Sequence, residues 1–393
     1  MAERNLDFDR IINRRNTDCL KYDFAVKRGM PADVLPLWVA DMDFPAPECV
    51  GEALRRMTDP GIYGYTMTGT AYNAAVTGWF ERRFGWKPEE DWLVTTPGVV
   101  YAICTAIRAF TEPGEAVVCL LPVYSHFFTA VEDNGRRPVY GHLKRENGHY
   151  EIDFEELERL LDEERPRLLI LCSPHNPVGR VWKREELERL GRLCFDRGVL
   201  VVADEIHCDF VYPGQRHIPF LSLGPEFEQN TVCCTAPSKT FNLAGLQCSN
   251  IFIPNPVLRA AFRREITAQG GFGVNSAGAA ACMAAYNGGA DWLDELLVYL
   301  RGNYNFLRAF LADRLPGLTA GELEGTYLAW VDVSALNLSE EEQLALLKRA
   351  GVRLSMGGEY GAGGETFWRV NLACPKSTLR AALERIAAEV EKL

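Results

Sequence analysis

Apolar runs of strand length alternate with amphipathic helical patterns through the middle of the chain. The segment 183–198 has one apolar helical face, formed by Leu187, Leu190 and Cys194. Gly198 follows as a C-terminal cap. The flanking runs are continuously apolar, as in strands buried on both faces, and four are clear: EAVVCLL (115–121), RLLILC (167–172), GVLVVA (198–203) and NTVCCT (230–235). Repeated strand, helix and strand units predict an α/β fold with a mainly parallel sheet sandwiched by helices.

The pattern changes after about residue 290. A long amphipathic helix and two strand patterns follow, in DWLDELLVYL (291–300), TYLAWVDV (326–333) and TFWRVNL (366–372). Ser339 begins another helix with a capping box, because Glu342 stands three residues later. These elements predict a smaller α+β domain. The first 45 residues lack the repeated unit, so we assign residues 1–45 and 289–393 to the small domain and residues 46–288 to a large one.

The composition is that of a globular protein, with 47% hydrophobic and 24% charged residues among 393. A net charge of −11 argues against a nucleic-acid partner. No apolar run reaches the ~20 residues of a membrane span, and the polar N-terminus lacks the apolar core of an export signal. The twelve cysteines are scattered in apolar runs, and the six histidines do not cluster. We therefore expect a cytoplasmic protein with no disulfide, structural metal or membrane contact.

Reactive and polar residues stand just after the predicted strands. Lys239 and Asp204 each follow one apolar run, and Asn176 and Tyr124 follow two others. The segment PGVV (97–100) is typical of a turn that opens a helix. In an open parallel sheet, ligands bind in the crevice beyond the carboxyl ends of the strands. The sequence therefore predicts that an amine, an acid, an amide, the imidazole of His207, an aromatic ring and a helix N-terminus meet there.

These parts fit pyridoxal 5′-phosphate. Lys239 is the amine for the aldehyde, and Asp204 is a buried carboxylate that keeps the ring nitrogen protonated. Tyr124 is placed to cover the ring face, and Asn176 to donate a hydrogen bond to the phenolate oxygen. Backbone N–H groups of Gly98, Val99 and Val100, at the positive end of a helix dipole, would bind the phosphate. Each residue alone has an ordinary explanation as a solvated lysine, a cap or a turn, so the inference depends on their joint order.

Motifs spread from residue 35 to residue 375 resemble those of fold-type I pyridoxal-phosphate enzymes, the aspartate aminotransferase superfamily. The most specific are WVADMDF (38–44), PHNPVGR (174–180), DEIH (204–207) and SKTFNLAGLQ (238–247). Within this superfamily the chain is similar to the MalY/PatB group of cystathionine β-lyases and C–S lyases. The resemblance implies a large domain built on a sheet of the seven-stranded type. It also implies a homodimer whose subunits share each active site.

The resemblance implies a role for each matching position. Lys239 would bond to the cofactor aldehyde and later move the Cα proton of the substrate. Tyr124 would stack on the ring and is a candidate acid for the leaving group. His207 stands where the superfamily often has tyrosine, and would support the phenolate oxygen. Ser238 would join the helix N-terminus in holding the phosphate.

Two further expectations concern the partner subunit and the substrate. Tyr65 or Tyr63 would reach the phosphate in the neighbouring subunit. Arg369 would bind the substrate α-carboxylate with two parallel hydrogen bonds, a geometry that suits guanidinium and not ammonium. The backbone at Val39 and Ala40 would assist. The ordinary alternative for Arg369 is a surface ion pair.

The sequence departs from the superfamily pattern at the expected phosphate site. Ala236 stands where a phosphate-binding serine is common, and Gln247 stands where an arginine is common. The segment NSAG (275–278) replaces a frequent Asn-Pro. The phosphate would therefore depend more on backbone groups and on the tyrosine of the partner.

The resemblance favours α,β-elimination from an S-substituted cysteine, which gives a thiol, pyruvate and ammonia. Transamination, the reaction of class I and II aminotransferases, is the alternative, because it begins with the same removal of the Cα proton and differs in where that proton returns. A regulatory binding protein of the MalY type is a third hypothesis from another class. The site residues alone do not separate these three.

Overall fold

The computed structural model describes residues 6–393 of the chain. Its strands in chain order are β1 (Leu35–Pro36), β2 (Leu93–Thr96), β3 (Ala116–Leu121), β4 (Arg137–Glu146), β5 (His149–Ile152), β6 (Leu168–Cys172), β7 (Leu200–Asp204), β8 (Thr231–Thr235), β9 (Ser249–Phe252), β10 (Thr319–Ala320), β11 (Leu328–Asp332), β12 (Val352–Arg353), β13 (Ser355–Met356) and β14 (Phe367–Asn371). Its α-helices are α1 (Asp23–Lys27), α2 (Glu48–Thr58), α3 (Thr70–Phe84), α4 (Val99–Phe110), α5 (His126–Asp133), α6 (Phe154–Glu164), α7 (Arg184–Asp196), α8 (Pro225–Glu228), α9 (Pro237–Thr240), α10 (Pro256–Ala268), α11 (Ser276–Gly288), α12 (Ala290–Arg314), α13 (Glu340–Ala350) and α14 (Lys376–Val390).

The main sheet has the order β2-β9-β8-β7-β6-β3-β4-β5. Strands β4, β3, β6, β7 and β8 run parallel to one another, and β9, β2 and β5 add antiparallel pairs at the two sides. The predicted mainly parallel α/β sheet is confirmed. All four apolar runs identified in the sequence form its central strands.

The sheet has eight strands, where the family resemblance implied the seven-stranded type. The additional strand β5 folds back on β4 through Asn147 and Gly148, whose φ angles are +50° and +82°. Two successive residues with positive φ form the type I′ turn that suits a two-residue hairpin, and Asn-Gly is its preferred sequence. The Asn-Gly pair was therefore the sequence signal for this strand.

Helices cover both faces of the main sheet. Val117 and Cys119 of β3 pack with α4, α5 and α10 on one face, whereas Val118 and Leu120 pack with α6 and α7 on the other. This alternation follows from the two-residue period of a strand. Because both faces are covered, ligands can approach the sheet only at its ends.

A second, smaller sheet has the order β10-β11-β14-β13 and is antiparallel. The predicted capping box at the start of α13 is present, since the Ser339 N–H donates to Glu342 Oε2 at 2.8 Å. The N-terminal region joins this part of the molecule, because Leu35 of β1 pairs with Val352 of β12. The division at residues 45 and 288 stays a prediction. Within residues 6–393, no helix combines the length and the apolar character that crossing a membrane requires.

Candidate active site

A cavity of about 480 Å³ lies beyond the carboxyl ends of β3, β6, β7 and β8, and Ser355 of β13 and Arg369 of β14 also line it. It is lined by most of the residues that the sequence analysis selected: Val39, Ala40, Gly98, Val99, Val100, Tyr124, Asn176, Asp204, His207, Ser238, Lys239 and Arg369. These residues come from seven separate stretches of chain. Their convergence on one cavity shows that the strand ends border a common crevice.

Lys239 is half-buried in the short helix α9, directly after strand β8. Its Nζ donates a hydrogen bond to the Ala40 carbonyl oxygen at 2.6 Å. Burial and the nearby Arg369 guanidinium lower the pKa of this amine from 10.5 to about 8. A substantial fraction of Lys239 is therefore neutral near pH 8, as a nucleophile or a base requires.

Asp204 ends strand β7 and is 5% exposed. Its Oδ1 accepts a hydrogen bond from the Ile206 N–H at 3.0 Å. Burial nonetheless raises the pKa of this carboxyl to about 7, and the hydrogen bond and the Lys239 amine only partly oppose that rise. A buried carboxyl in this state gains from a cation placed against it, so it fits a protonated ring nitrogen.

Asn176 and His207 flank the same space, and both are buried. The Asn176 side-chain oxygen accepts a hydrogen bond from Arg369. The amide nitrogen of Asn176 therefore points away from Arg369. His207 Nδ1 has no hydrogen-bond partner within residues 6–393, although it is buried. Burial and two nearby cations hold the pKa of His207 well below 6.5, so this imidazole is neutral. An unsatisfied buried nitrogen fits a polar ligand bound beside it.

Helix α4 begins at Val99 and points its N-terminus into the cavity, with Gly98 as the capping residue. A Cβ placed on Gly98 would meet no atom within 4 Å, so the space beside this residue, at the start of the helix, is open. Ser238 and Ser249 also line the cavity. Gln247 is exposed and does not line it, which agrees with its expected loss as a phosphate ligand.

Arg369 lies in the middle of β14 and is 4% exposed. One of its terminal nitrogens donates to Asn176 Oδ1 at 3.1 Å, and the other donates to the Trp38 carbonyl oxygen at 2.6 Å. Its Nε is buried without a hydrogen-bond partner, and no carboxylate of residues 6–393 lies within 4.0 Å of it. The surface ion pair considered as an alternative is therefore absent from this part of the chain. A buried guanidinium that lacks an anion fits an anionic ligand.

The segment that contains Val39 and Ala40 is fixed from both sides. The Val39 carbonyl accepts a hydrogen bond from the Asn371 side chain at 2.6 Å. The Ala40 carbonyl accepts from both Lys239 and the Tyr327 hydroxyl, the latter at 2.9 Å. Both carbonyl groups are thus engaged by the protein itself.

Tyr124 lines the cavity, and its backbone N–H donates to the Asn176 carbonyl at 3.1 Å. Burial raises the pKa of its hydroxyl to about 12, which keeps the phenol protonated at neutral pH. Tyr63 and Tyr65, in contrast, are strongly exposed and lie outside the cavity of their own chain. Their expected contact with a neighbouring subunit stays a prediction.

The sequence analysis did not select Ser249, Ser355 and Tyr360 of the cavity, and it gave no role to Trp38 of the motif 38–44. Ser355 Oγ accepts a hydrogen bond from Arg369 at 3.2 Å, and the Tyr360 ring lies 5.0 Å from the Arg369 guanidinium carbon. The glycine-rich stretch GGEYGAGG (357–364) around Tyr360 was the one local signal for this wall.

Comparison with known proteins places this geometry in a family. Residues 32–386 match the family model described as Aminotransferase class I and II. The chain is 45% identical to cystathionine beta-lyase PatB of Bacillus subtilis (strain 168) over 384 residues, which cover 98% of this chain and 99% of the relative.

Solved structures of similar proteins support the same family assignment. Cystalysin from Treponema denticola, whose crystal structure contains a pyridoxal 5′-phosphate cofactor, superposes with a TM-score of 0.95 at 36% identity, covering 98% of this chain and 99% of that one. The pyridoxal-phosphate-bound C–S lyase from Staphylococcus hominis gives 0.92 at 34% identity, with 98% of each chain covered. The chain therefore belongs to the aminotransferase class I and II family, as its resemblance to fold-type I pyridoxal-phosphate enzymes predicted.

Proposed function

We propose that this protein is a pyridoxal-phosphate-dependent C–S β-lyase. It would cleave the Cβ–S bond of an S-substituted cysteine and release a thiol, pyruvate and ammonia. The observation that carries the proposal is the position of Lys239, an amine with a lowered pKa between buried Asp204 and the anion-free guanidinium of Arg369. The family includes enzymes of several reactions, and the names of the similar lyases reported above favour elimination among them.

The residues of the cavity fit the cofactor at four places. Asp204 would hold the ring nitrogen, and the orphaned His207 and the Asn176 amide would hold the phenolate oxygen. The open space before Gly98 would take the phosphate, together with Ser238 and the N–H groups of Val99 and Val100. Lys239 would bond to the aldehyde. When bound, pyridoxal phosphate accepts electron density from the Cα of the substrate, which stabilises the charge left by proton removal.

The chain would perform elimination with three side chains. Arg369 would bind the α-carboxylate and thereby orient the Cα–H bond toward Lys239. Neutral Lys239 would take the Cα proton, and the electron pair of that bond would expel the sulfur as a thiolate. Tyr124, protonated at neutral pH, or the protonated Lys239 would supply the proton of the thiol. The released 2-aminoacrylate then hydrolyses to pyruvate and ammonia.

Transamination differs in one outcome, which an experiment can detect. The purified holoenzyme is incubated with L-cystathionine without any keto acid, and pyruvate is measured with lactate dehydrogenase. We expect continuous pyruvate release, and none from Lys239→Ala. Product formation that depends strictly on added 2-oxoglutarate would refute the lyase proposal and support an aminotransferase.

We also propose a cytoplasmic homodimer. Cysteines 19, 104, 119, 172, 194, 208, 233, 234, 248, 282 and 374 are free in the described part of the chain, which supports a reducing compartment. The exposed aromatic side chains of Tyr63 and Tyr65 support a subunit contact beside the active site.

A further inference from the structure

The outer part of the cavity is formed by exposed residues, unlike its buried floor. Arg28 and Glu359 are exposed, and Leu20 and the half-buried Trp38 lie with them on the cavity wall. We call these four residues the mouth. Because the floor would hold the cofactor and the α-carboxylate, the mouth would face the group attached to the substrate sulfur.

The two charged residues of the mouth differ in their ion pairing. Glu359 is offset by Arg353, whose terminal nitrogen lies 3.6 Å from its Oε1. Arg28 has no carboxylate within 4.0 Å among residues 6–393. Arg353 and Lys348 line an adjoining cavity of about 230 Å³ together with Arg28. Together, the mouth and the adjoining cavity therefore place three cations, Arg28, Arg353 and Lys348, against the anion Glu359, on a chain whose net charge is −11.

Trp38 connects the mouth to the floor. Its carbonyl oxygen accepts the hydrogen bond from Arg369, and its indole ring lies 5.1 Å from the guanidinium carbon of Arg28. The indole N–H donates to the Lys21 carbonyl at 3.0 Å, which fixes the ring. A guanidinium stacked on a fixed aromatic ring keeps its N–H groups free for an anion and loses less freedom when it binds one.

We propose that the mouth recognises a carboxylate on the leaving group, and that Arg28 is the residue that binds it. This inference rests on the proposed lyase function, and it selects the substrate class within it. Cysteine derivatives with an acidic S-substituent are preferred over those with an uncharged substituent of the same length. Binding depends on the distal anion and requires no distal ammonium group.

Two substrates of matched shape test the preference. S-(2-carboxyethyl)-L-cysteine and S-propyl-L-cysteine differ in one terminal carboxylate in place of a methyl group. We expect the ratio of their kcat/KM values to favour the acid, and to fall about fivefold in Arg28→Gln, because an exposed charge pair contributes modestly. Lys27→Gln is the matched control, since Lys27 is an exposed neighbouring cation that does not line the cavity. An unchanged ratio in Arg28→Gln, with both substrates still cleaved, would overturn the inference and leave the lyase proposal intact.

A binding measurement separates recognition from turnover. L-2-Aminoheptanedioate and L-2-aminoheptanoate carry a methylene in place of the sulfur, so neither has a leaving group. Calorimetric titration of the holoenzyme should give a lower Kd for the diacid, and a difference that shrinks at high salt and in Arg28→Gln. Equal Kd values for the two analogues in the wild type would refute the inference. Absence of pyruvate from every S-substituted cysteine would instead refute the lyase proposal, with the Kd comparison still deciding the role of Arg28.

Discussion

The Nζ of Lys239 lies 2.6 Å from the carbonyl oxygen of Ala40, a residue 199 positions earlier in the chain. Burial lowers the pKa of this amine to about 8. Since only the neutral amine attacks an aldehyde, its attachment to pyridoxal phosphate should accelerate about tenfold per pH unit below pH 8 and level off above it.

Borohydride trapping of the cofactor-free protein with pyridoxal phosphate between pH 6 and 10 measures this rate. Mass spectrometry of the Lys239 peptide gives the labelled fraction, with the exposed Lys27 peptide as an internal reference. A rate that keeps rising through pH 10 would show that Lys239 has the pKa of an ordinary solvated lysine.

Replacement of Asp204 by asparagine should raise the stability of the cofactor-free protein and lower the activity of the loaded enzyme. The folded protein holds a proton on this carboxyl up to about pH 7, whereas an unfolded chain releases it near pH 4. The folded state thus binds more protons between these values, so this group lowers stability as pH rises from 4 to 7. We expect cofactor-free Asp204→Asn to have a higher Tm than the wild type at pH 8 and an equal one near pH 4.

The same variant should lose activity by about a thousandfold when loaded with cofactor, because an amide cannot stabilise a positive ring nitrogen. Differential scanning calorimetry and pyruvate release check the two halves. A lower Tm for cofactor-free Asp204→Asn at pH 8 would contradict the raised pKa. Retained activity would contradict the pairing of this residue with the ring.

Arg369→Lys keeps the charge but loses the planar fork of donors. Because charge-assisted hydrogen bonds from the guanidinium would contribute to substrate binding, KM for an S-substituted cysteine should rise about 10- to 100-fold in this variant. The cofactor absorbance should stay unchanged, because Arg369 is not proposed to hold the cofactor. Arg108→Lys serves as the control, since Arg108 pairs with Glu265 at 2.8 Å outside the cavity. Equal KM values for the two variants would remove Arg369 from substrate binding.

The proposal that two subunits share each active site can be tested by subunit mixing. If Tyr65 reaches the site of its partner, Tyr65→Ala and Lys239→Ala homodimers should both be impaired. Unfolded together and refolded, they should recover about a quarter of the wild-type activity, because half of the dimers are mixed and each mixed dimer has one intact site. Recovery no greater than the sum of the separate activities would place Tyr65 outside the site of the partner.

The sequence was sufficient for residues whose position follows from local pattern. Lys239 and Asp204 stand at the ends of apolar strands, and parallel strands bring such ends together. The eighth strand was also readable, because Asn147–Gly148 is a hairpin signal. Ser355 was not, since it reaches Arg369 only through the pairing of the two-residue strand β13 with β14. That register is set by long-range contacts and not by local preference.

The segment 38–44 is fastened by one asparagine from each part of the molecule. Asn242, which follows α9, bonds to the backbone of Met42 and Phe44, and Asn371 of β14 bonds to the carbonyls of Val39 and Asp41. The segment therefore acts as a strap across the boundary between the two sheets. A rotation of one sheet against the other must either carry this strap along or break one set of its bonds. Since Arg369 and Lys239 both bond to the strap, such a movement would change the separation between the Arg369 guanidinium and the Lys239 amine.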